Sequence, residues 1–236
     1  MILSEVTWEL RDPESRFAIL LDLALTFSRA SRGSWGYPPE QIEIARSAMP
    51  KLTQGAAGPL LPAALARWYV TVGRVPELTS MVNRLHPPDP LEFRDGAVVI
   101  YTENQTVTVW GIRAEALDQD DPPVVFAGIN GWQHEADSVS NFALTVGLSE
   151  LCVSNGKFCR AGTMDDAAKA ALQTKLRLAP VQALKWPVEN GRDAQFVVDR
   201  KVVALIEGEF LFAAGVRDNV DVYLAKLAAP GRITWV

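Results

Sequence analysis

Three adjacent polar side chains, Glu103, Asn104 and Gln105, interrupt a strand-like stretch of the sequence, YTENQTVTVWG at 101–111. A carboxylate beside two amides could take part in acid–base chemistry, or it could bind a partner through hydrogen bonds. A catalytic carboxylate needs a partner that shifts its pKa, and no sequence feature nominates one. Asparagine, by contrast, is common in turns, because it tolerates the left-handed backbone conformation and can hydrogen-bond to its own backbone. The pattern predicts a polar turn of about four residues between two strands, and it favours binding over catalysis.

A second polar group is the acidic stretch LDQDDPP, which contains Asp118, Asp120 and Asp121. Closely spaced aspartates could suggest calcium, but this stretch lacks the glycine and the distal glutamate of an EF-hand loop. We therefore expect a solvated acidic loop, which would be a suitable place to meet a basic partner.

The other candidates for catalysis are weak. Ser34 in GSWG and Ser149 in GLSEL only approach the G-x-S-x-G nucleophile motif. His134 beside Glu135 could form an acid–base pair, but a lone exposed or half-buried histidine is the simpler interpretation. The spacing of the two cysteines, Cys152 and Cys159, matches neither a redox motif nor a zinc site, and we expect reduced thiols. The sequence therefore predicts a protein that is not an enzyme and has no catalytic residue, metal or cofactor.

The composition is that of one ordinary globular domain. The chain has 236 residues, of which 48% are hydrophobic and 22% charged, with a formal net charge of -5. An acidic chain argues against direct binding of nucleic acid, which needs a basic surface. The apolar run at 17–27 follows an acidic lead and contains Asp22, and it is too short to span a bilayer. We interpret it as a buried helix of a cytoplasmic protein without membrane contact.

The predicted elements place these side chains on a mixture of helices and strands. Helices are expected from Pro13, from Pro39 to about Ser47, from Pro62, from Ser138 to about Cys152, from a capping-box-like start at Thr163, and after Asp218. Strands are expected at 97–101, 106–110 and 121–128, then as a meander over 195–215, with 232–236 as a possible edge strand. The segment 177–193 is predicted to be a loop-rich connection. Short turns between consecutive strands imply antiparallel pairing, so the fold class is α+β, with a mainly antiparallel β-sheet packed by helices.

Several of these segments, in this order, resemble the Smi1/Knr4 (SUKH) superfamily. The resemblance is carried by LLPAALARWYVTVGR at 60–74, YTENQTVTVWGI at 101–112, DPPVVF at 121–126, Trp132, and Phe142 in a helix that serines begin. It covers roughly 55–230 of a single SUKH-like domain at 1–236. Residues 1–50 match less clearly and are interpreted as an N-terminal helical extension.

The resemblance implies an immunity protein of the bacterial type. Such proteins are thought to bind and neutralise toxin domains, many of them nucleases, and the family has no known catalytic residues or cofactor to carry over. The partner would then be a protein, and an acidic inhibitor would suit a basic nuclease. Glu103, Asn104, Gln105, Asp118, Asp120 and Asp121 are the predicted contact residues.

Two alternatives remain open at this stage. The first is a non-enzymatic regulatory or scaffold module that binds the cell's own proteins. The second is a hydrolase that uses Glu103 with a distant acid, which predicts a deep pocket at Glu103.

Overall fold

A computed structural model of the chain describes residues 12–28, 32–53, 61–153, 159–185, 194–199, 201–216, 219–229 and 231–236. Within these ranges the predicted α+β class is confirmed, with helices packed on antiparallel sheets. The helices are α1 (Pro13–Phe27), α2 (Pro39–Leu52), α3 (Ala63–Val72), α4 (Pro76–Thr79), α5 (Val139–Val153), α6 (Asp166–Lys175) and α7 (Val220–Ala228). The strands are β1 (Arg84–Leu85), β2 (Glu92–Arg94), β3 (Ala97–Thr102), β4 (Val109–Arg113), β5 (Val124–Gly128), β6 (Gly131–Ala136), β7 (Cys159–Met164), β8 (Arg177–Gln182), β9 (Gln195–Val198), β10 (Val202–Glu207), β11 (Phe210–Gly215) and β12 (Ile233–Trp235).

The strands form two sheets. In the first sheet the order is β1-β3-β4-β5-β6, and β2 also pairs with β3. In the second sheet the order is β12-β7-β11-β10-β9-β8, with all pairs antiparallel. The sequence predicted one main sheet, because the strands β6, β7 and β8 that complete the two sheets lack a strong alternating pattern.

The second sheet is buried on both faces. Along β10, Val203 and Leu205 belong to the main core, whereas Val202, Ala204 and Ile206 belong to a smaller core with α6 and α7. Alternate residues of a strand point to opposite faces, so a strand covered on both sides is apolar throughout. This explains why the segment 202–206 has no polar alternation.

Helix α5 lies at the centre of the molecule. It packs against α1, α3 and α4, and also against β7, β10 and β11 of the second sheet. Gly147 allows the approach of α1, because a Cβ atom at this position would lie 2.7 Å from Cδ2 of Leu20. Among the described helices, none is both long and apolar enough to cross a membrane.

Four aromatic side chains meet where α5 faces the first sheet. The ring of Phe142 lies 6.0 Å from Trp68, 5.8 Å from Tyr101 and 6.2 Å from Trp110, measured between centroids. A bulge in β3 between Val99 and Tyr101 pairs Tyr101 directly with Trp110. All four side chains are buried, and this cluster joins α3, α5 and the first sheet.

Residues 13–27, within the predicted N-terminal extension, belong to the main core. Helix α1 begins at Pro13, as predicted, and the carboxylate of Asp12 before it accepts the backbone N–H of Ser15 at 2.8 Å. Phe17, Leu20 and Leu23 are buried in the same cluster as Phe142. The helix that starts at Pro39 also joins this core, and it ends at Leu52 rather than near Ser47 because Pro50 is accommodated within its last turn.

Several boundaries differ from the prediction. The strand expected at 106–110 begins at Val109, since Thr106 has a φ of 60° that a strand does not allow. The strand predicted at 121–128 begins only at Val124. Thr163 lies in β7, and the side chain that begins α6 is that of Asp165, which accepts the N–H of Ala168 at 2.7 Å.

The later part of the chain brings further differences. Residues 177–182 of the predicted loop-rich connection form β8, which contains Pro180. Proline is tolerated on an edge strand, which is the position that β8 occupies. The meander and the final edge strand are confirmed as β9, β10, β11 and β12. Asp218, the predicted start of the last helix, lies outside the described residues.

Replacing Phe142 by alanine should destabilise the protein by about 3–5 kcal/mol, because it removes a fully buried ring and leaves a cavity between three other rings. The free energy of unfolding in urea would measure the loss. Phe210→Ala is the matched control: this ring is 41% exposed at the start of β11, and its loss should cost about 1 kcal/mol or less. Equal losses in the two variants would contradict the central role given to the aromatic cluster.

Candidate functional site

The predicted polar turn between β3 and β4 is six residues long, at 103–108, and it is held by its own first side chain. The carboxylate of Glu103 accepts the backbone N–H of Gln105 at 2.8 Å and that of Val107 at 3.2 Å. The carbonyl oxygen of Glu103 also accepts the N–H of Thr106 at 2.9 Å. Glu103 therefore shapes the turn, while the side chains of Asn104 and Gln105 are exposed.

Two further hydrogen bonds fasten this turn to its neighbours. The backbone N–H of Asn104 donates to Oδ1 of Asn83 at 3.2 Å, and the hydroxyl of Thr108 donates to the carbonyl oxygen of Ala127 at 2.8 Å. Ala127 lies near the end of β5, just before the tight turn at Ile129. The two turns of the first sheet are therefore side by side at one end of it, as successive antiparallel hairpins require.

This end of the sheet carries two exposed apolar side chains. Val107 is 63% exposed and Ile129 is 93% exposed. We call the group Asn104, Gln105, Val107, Ile129 and Asn130 the sheet-end surface. Sequence analysis identified its two amide residues at 104 and 105 but missed Val107, because that residue was assigned to a strand. The turn between β5 and β6 consists of two residues, Ile129 and Asn130. Because the tip of so short a turn is exposed to solvent, an isoleucine at this position was the signal that could have identified Ile129.

The acidic loop lies at the opposite end of the same sheet. It follows β4, whereas the polar turn precedes β4, so the length of that strand separates them, about 17 Å for five residues at ~3.4 Å each. The side chains of Asp118 and Asp120 are exposed. The structure therefore does not bring the two predicted groups of contact residues together.

Asp121 has an internal role. Its carboxylate accepts the backbone N–H of Ser140 at 2.9 Å and the Ser140 hydroxyl at 2.5 Å, and Nη1 of Arg16 lies 3.8 Å away. A carboxylate at the start of α5 satisfies an N–H that has no partner within the helix and is favoured by the helix dipole. The carbonyl oxygen of Asp120 similarly accepts the N–H of Ala64 at the start of α3. This loop holds the first turns of two helices.

A cleft of about 1010 Å³ lies between the two sheets. One face of α5 forms its floor with Asn141, Thr145 and Ser149, which are spaced by four residues and share a helix face. The end of β6 forms one wall, and β8 with the residues that follow it forms the other. We call this feature the inter-sheet groove. Glu103 is not among its described lining residues, although Asn83 is.

Glu150 is one of two buried carboxylates at the groove. Its oxygens accept the backbone N–H groups of Val82 at 2.6 Å and Asn83 at 3.0 Å, and the hydroxyl of Tyr101 at 2.5 Å. Burial, followed by the charge of Glu150, raises the pKa of Tyr101 well above its usual value, so the phenol stays a donor. The sequence did hold a signal here, because Glu150 is the one charged residue of α5.

Glu135 is the other buried carboxylate. It occupies a bulge in β6, between the pairs His134–Val125 and Ala136–Val124, and it is only 5% exposed. Its oxygens accept the indole N–H of Trp110 and the backbone N–H of Lys185, both at 2.9 Å. Glu135 thus joins the first sheet to the segment that follows β8. Burial raises its pKa, and these two hydrogen bonds partly offset the increase.

The remaining candidates do not form a catalytic group. His134 is exposed, and its Nε2 lies 3.0 Å from Oδ1 of Asp137, whereas the neighbouring Glu135 is directed into the protein. Ser149 lines the groove, and Ser34 lies in a short 3₁₀ turn elsewhere. Cys152 is buried and Cys159 is half-buried. Among the residues that the structure describes, no three His, Cys, Asp or Glu side chains are placed to hold a metal ion.

Comparison of the chain with protein-family models, curated proteins and solved structures found no match in any of the three. The site is therefore interpreted from its own geometry. That geometry offers a hydrogen-bonded turn with exposed apolar neighbours at one sheet end, and a large groove with two buried carboxylates among its lining residues.

Glu103→Ala should loosen the polar turn, because it removes the acceptor for two backbone N–H groups. Hydrogen exchange at the Val107 amide should accelerate by about fivefold, as expected for the loss of one hydrogen bond of ~1 kcal/mol. The control Gln105→Ala removes an exposed side chain and should leave this amide close to its original rate. Unchanged exchange in the Glu103 variant would show that the carboxylate does not organise the turn.

Glu135 should give a distinctive pH dependence of stability. Its pKa is raised in the folded protein above the ordinary value of 4.5, so its stabilising contribution is full below pH 4.5 and is lost as the pH rises through the folded pKa. The difference in unfolding free energy between the native protein and Glu135→Gln should therefore shrink from pH 4.5 upward. Urea unfolding between pH 4.5 and 8 would measure it.

Asp165→Asn is the matched control for this pH series. The N–H of Ala168, and then Arg232, lower the pKa of Asp165 below its ordinary value of 3.8, so the contribution of Asp165 is lost only as the pH falls below that value. The corresponding difference for this variant should be flat from pH 4.5 to 8. A flat difference for Glu135→Gln as well would contradict the burial-raised pKa.

Proposed function

We propose that this protein is a non-enzymatic, cytoplasmic immunity-type protein that neutralises a cognate bacterial toxin by binding it directly. The order of segments that resembles the Smi1/Knr4 (SUKH) superfamily supports this proposal, and so does the sheet-end surface. The toxin domain would be inhibited by occlusion of its active or recognition surface, and a nuclease is the class we favour.

The observation that carries the binding function is the pair of exposed apolar side chains, Val107 and Ile129, beside a turn that Glu103 and Asn83 hold in place. The buried core of a protein–protein interface is more apolar than its polar rim. A turn that is already fixed by hydrogen bonds loses little conformational entropy on binding. This combination favours recognition of a protein surface.

The net charge of -5 supports a basic partner. Complementary charge accelerates encounter and disfavours wrong partners, even where it adds little affinity. The exposed carboxylates Asp118 and Asp120 would act in this way, at a distance from the sheet-end surface, so they affect the rate of association rather than the central contact.

The geometry of Glu103 does not support the hydrolase alternative. Its carboxylate is engaged by the backbone of its own turn, and it is not among the described residues that line the groove. A regulatory or scaffold module would use the same sheet-end surface, and only the identity of the partner separates it from an immunity protein.

Co-expression of the tagged protein with the product of the adjacent gene, followed by calorimetry, tests the proposal. An immunity protein should form a tight 1:1 complex, with a binding free energy roughly below -12 kcal/mol, and should suppress the toxicity of the partner. A tight complex with a host protein that has no toxic activity would instead support the regulatory alternative.

Ile129→Asp should weaken that complex by about thirtyfold or more, the loss expected when a charge replaces an apolar anchor worth ~2 kcal/mol. The control is Ile44→Asp on α2, where the isoleucine is also exposed, at 52%. This control makes the same chemical change away from the sheet end and should leave the affinity unchanged. Equal affinity of both variants would place the contact elsewhere.

A further inference from the structure

We propose that Cys152 and Cys159 form an intramolecular disulfide when the protein meets hydrogen peroxide, and that this bond fastens the end of α5 to β7. The proposal does not depend on the proposed binding function, because it concerns only the two thiols of the chain. The strand pairing of the second sheet, the contacts of the two sulfur atoms and the different exposure of the two thiols carry it.

The second sheet places Cys159 on the face that α5 covers. Cys159 is the first residue of β7, where it pairs with Ala214 of β11, and Ala214 in turn pairs with Val203 of β10. Residues that pair directly across neighbouring strands point to the same face of a sheet. Val203 and Ala214 belong to the main core, and Cys159 packs against it. The sequence spacing of the cysteines gave no sign of this arrangement, because it depends on the register of three strands.

Cys152 lies over the same row of residues. It is buried in the last turn of α5, and its thiol donates to the carbonyl oxygen of Val203 at a sulfur–oxygen distance of 3.6 Å. Burial raises the pKa of Cys152, and the charge of a Cys159 thiolate raises it further, so the two groups are near enough to affect each other's ionisation. The backbone N–H groups of Leu205 and Ala214 partly offset the increase, and Ala214 is the direct neighbour of Cys159.

The thiol of Cys159 also reaches α5. It donates to the carbonyl oxygen of Leu151 at a sulfur–oxygen distance of 3.2 Å. In a planar trans peptide, a carbonyl oxygen lies within ~3 Å of the Cα atom of the next residue, here Cys152. The sulfur of Cys159 is therefore at most about 6 Å from the Cα atom of Cys152.

This geometry is within reach of a disulfide. A disulfide joins Cα atoms that are about 4.4–6.8 Å apart. Rotation of both side chains about χ1, with a small shift of the last turn of α5, would bring the two sulfur atoms together. The end of a helix is its most easily displaced part.

Exposure decides which thiol reacts first. Cys159 is half-buried, so a peroxide can reach its sulfur, whereas Cys152 is buried. Oxidation follows access and thiolate character, and the raised pKa of Cys152 keeps that thiol protonated. Cys159 is therefore the residue that meets the oxidant, and Cys152 is the residue that resolves the product. In a reducing cytoplasm, such a disulfide would be transient and would form only during exposure to an oxidant.

The reaction balances as a two-electron oxidation. The Cys159 thiolate attacks one oxygen of hydrogen peroxide, the O–O bond breaks, and the departing hydroxide takes up the thiol proton to leave as water. The sulfur of Cys152 then attacks the sulfenic sulfur of Cys159, the S–O bond breaks, and the released hydroxide takes the Cys152 proton to form a second water molecule. Two thiols become one disulfide, and one peroxide becomes two water molecules.

Peroxide treatment of the reduced full-length protein, followed by alkylation of the remaining thiols, tests the proposal. The product should be a monomer that has lost two hydrogen atoms, ~2 Da, and carries no alkyl group. Because Lys157 lies between the two cysteines in the sequence, trypsin separates their peptides unless a disulfide joins them. The digest should therefore contain the joined peptides. Alkylation of both cysteines, a disulfide between two molecules, or sulfinic acid at Cys159 beside an alkylated Cys152 would overturn the proposal.

The variant Cys152→Ala tests the order of the two steps. Without the second thiol, the sulfenic acid of Cys159 should persist and react with dimedone, whereas the native protein should be labelled about tenfold less. Cys159→Ala is the matched control, and its buried Cys152 should not be labelled. Equal labelling of the native protein and the Cys152 variant would show that Cys152 does not resolve the sulfenic acid.

Equilibration of the native protein with reduced and oxidised glutathione gives a test that needs no variant. If the fold holds the two thiols together, the disulfide should form about tenfold or more favourably in the folded protein than in the protein unfolded by urea. By linkage, the oxidised protein should be stabilised against unfolding by the same factor. A disulfide that forms less favourably in the folded protein would mean that the fold keeps the thiols apart, and the proposal would fail.

Discussion

The burial of α5 is the constraint on which the rest of the structure depends. Helices cover one side of it and the second sheet covers another, so twelve of its fifteen residues are buried. Water cannot reach the unpaired N–H groups at the start of such a helix, and a side chain must accept them. Asp121 does so at Ser140. The acidic loop is therefore part of the framework, and its sequence carries both a structural aspartate and exposed ones.

The same enclosure explains the two buried glutamates. Glu150, on α5, accepts hydrogen bonds from the backbone N–H groups of Val82 and Asn83 and from the hydroxyl of Tyr101. Glu135 accepts hydrogen bonds from the indole N–H of Trp110 and from the backbone N–H of Lys185, in the segment after β8. A carboxylate in a poorly hydrated position is stable only where several donors surround it. Each glutamate meets that requirement by connecting segments that are distant in sequence. Both glutamates also line the inter-sheet groove.

The parts of the fold that local patterns determine were predictable, and the parts that long-range packing determines were not. Pro13 and Pro62 located the starts of α1 and α3 to within one residue, because the preference of proline for the first turn of a helix is a local property. The bulge that directs Glu135 inward could not be predicted from the sequence, because it depends on the pairing register between β6 and β5. Strand β8 was missed because edge strands tolerate proline and need no alternating pattern.

The candidate site shows the same division. Asn104 and Gln105 were identified because polar residues between two strand-like segments are a local signal of a turn. Val107 and Ile129 could be recognised only from the structure, which places their two turns side by side. That placement matters for function. Hydrogen bonds from Asn104 to Asn83 and from Thr108 to Ala127 fasten the first turn to its neighbours, and the side chains of Val107 and Ile129 remain exposed among the described residues. Exposed isoleucine and valine side chains add little hydrophobic stabilisation to the protein's own fold. Under the proposed function a partner protein would cover both of them, and this is why the contact is assigned to this end of the first sheet.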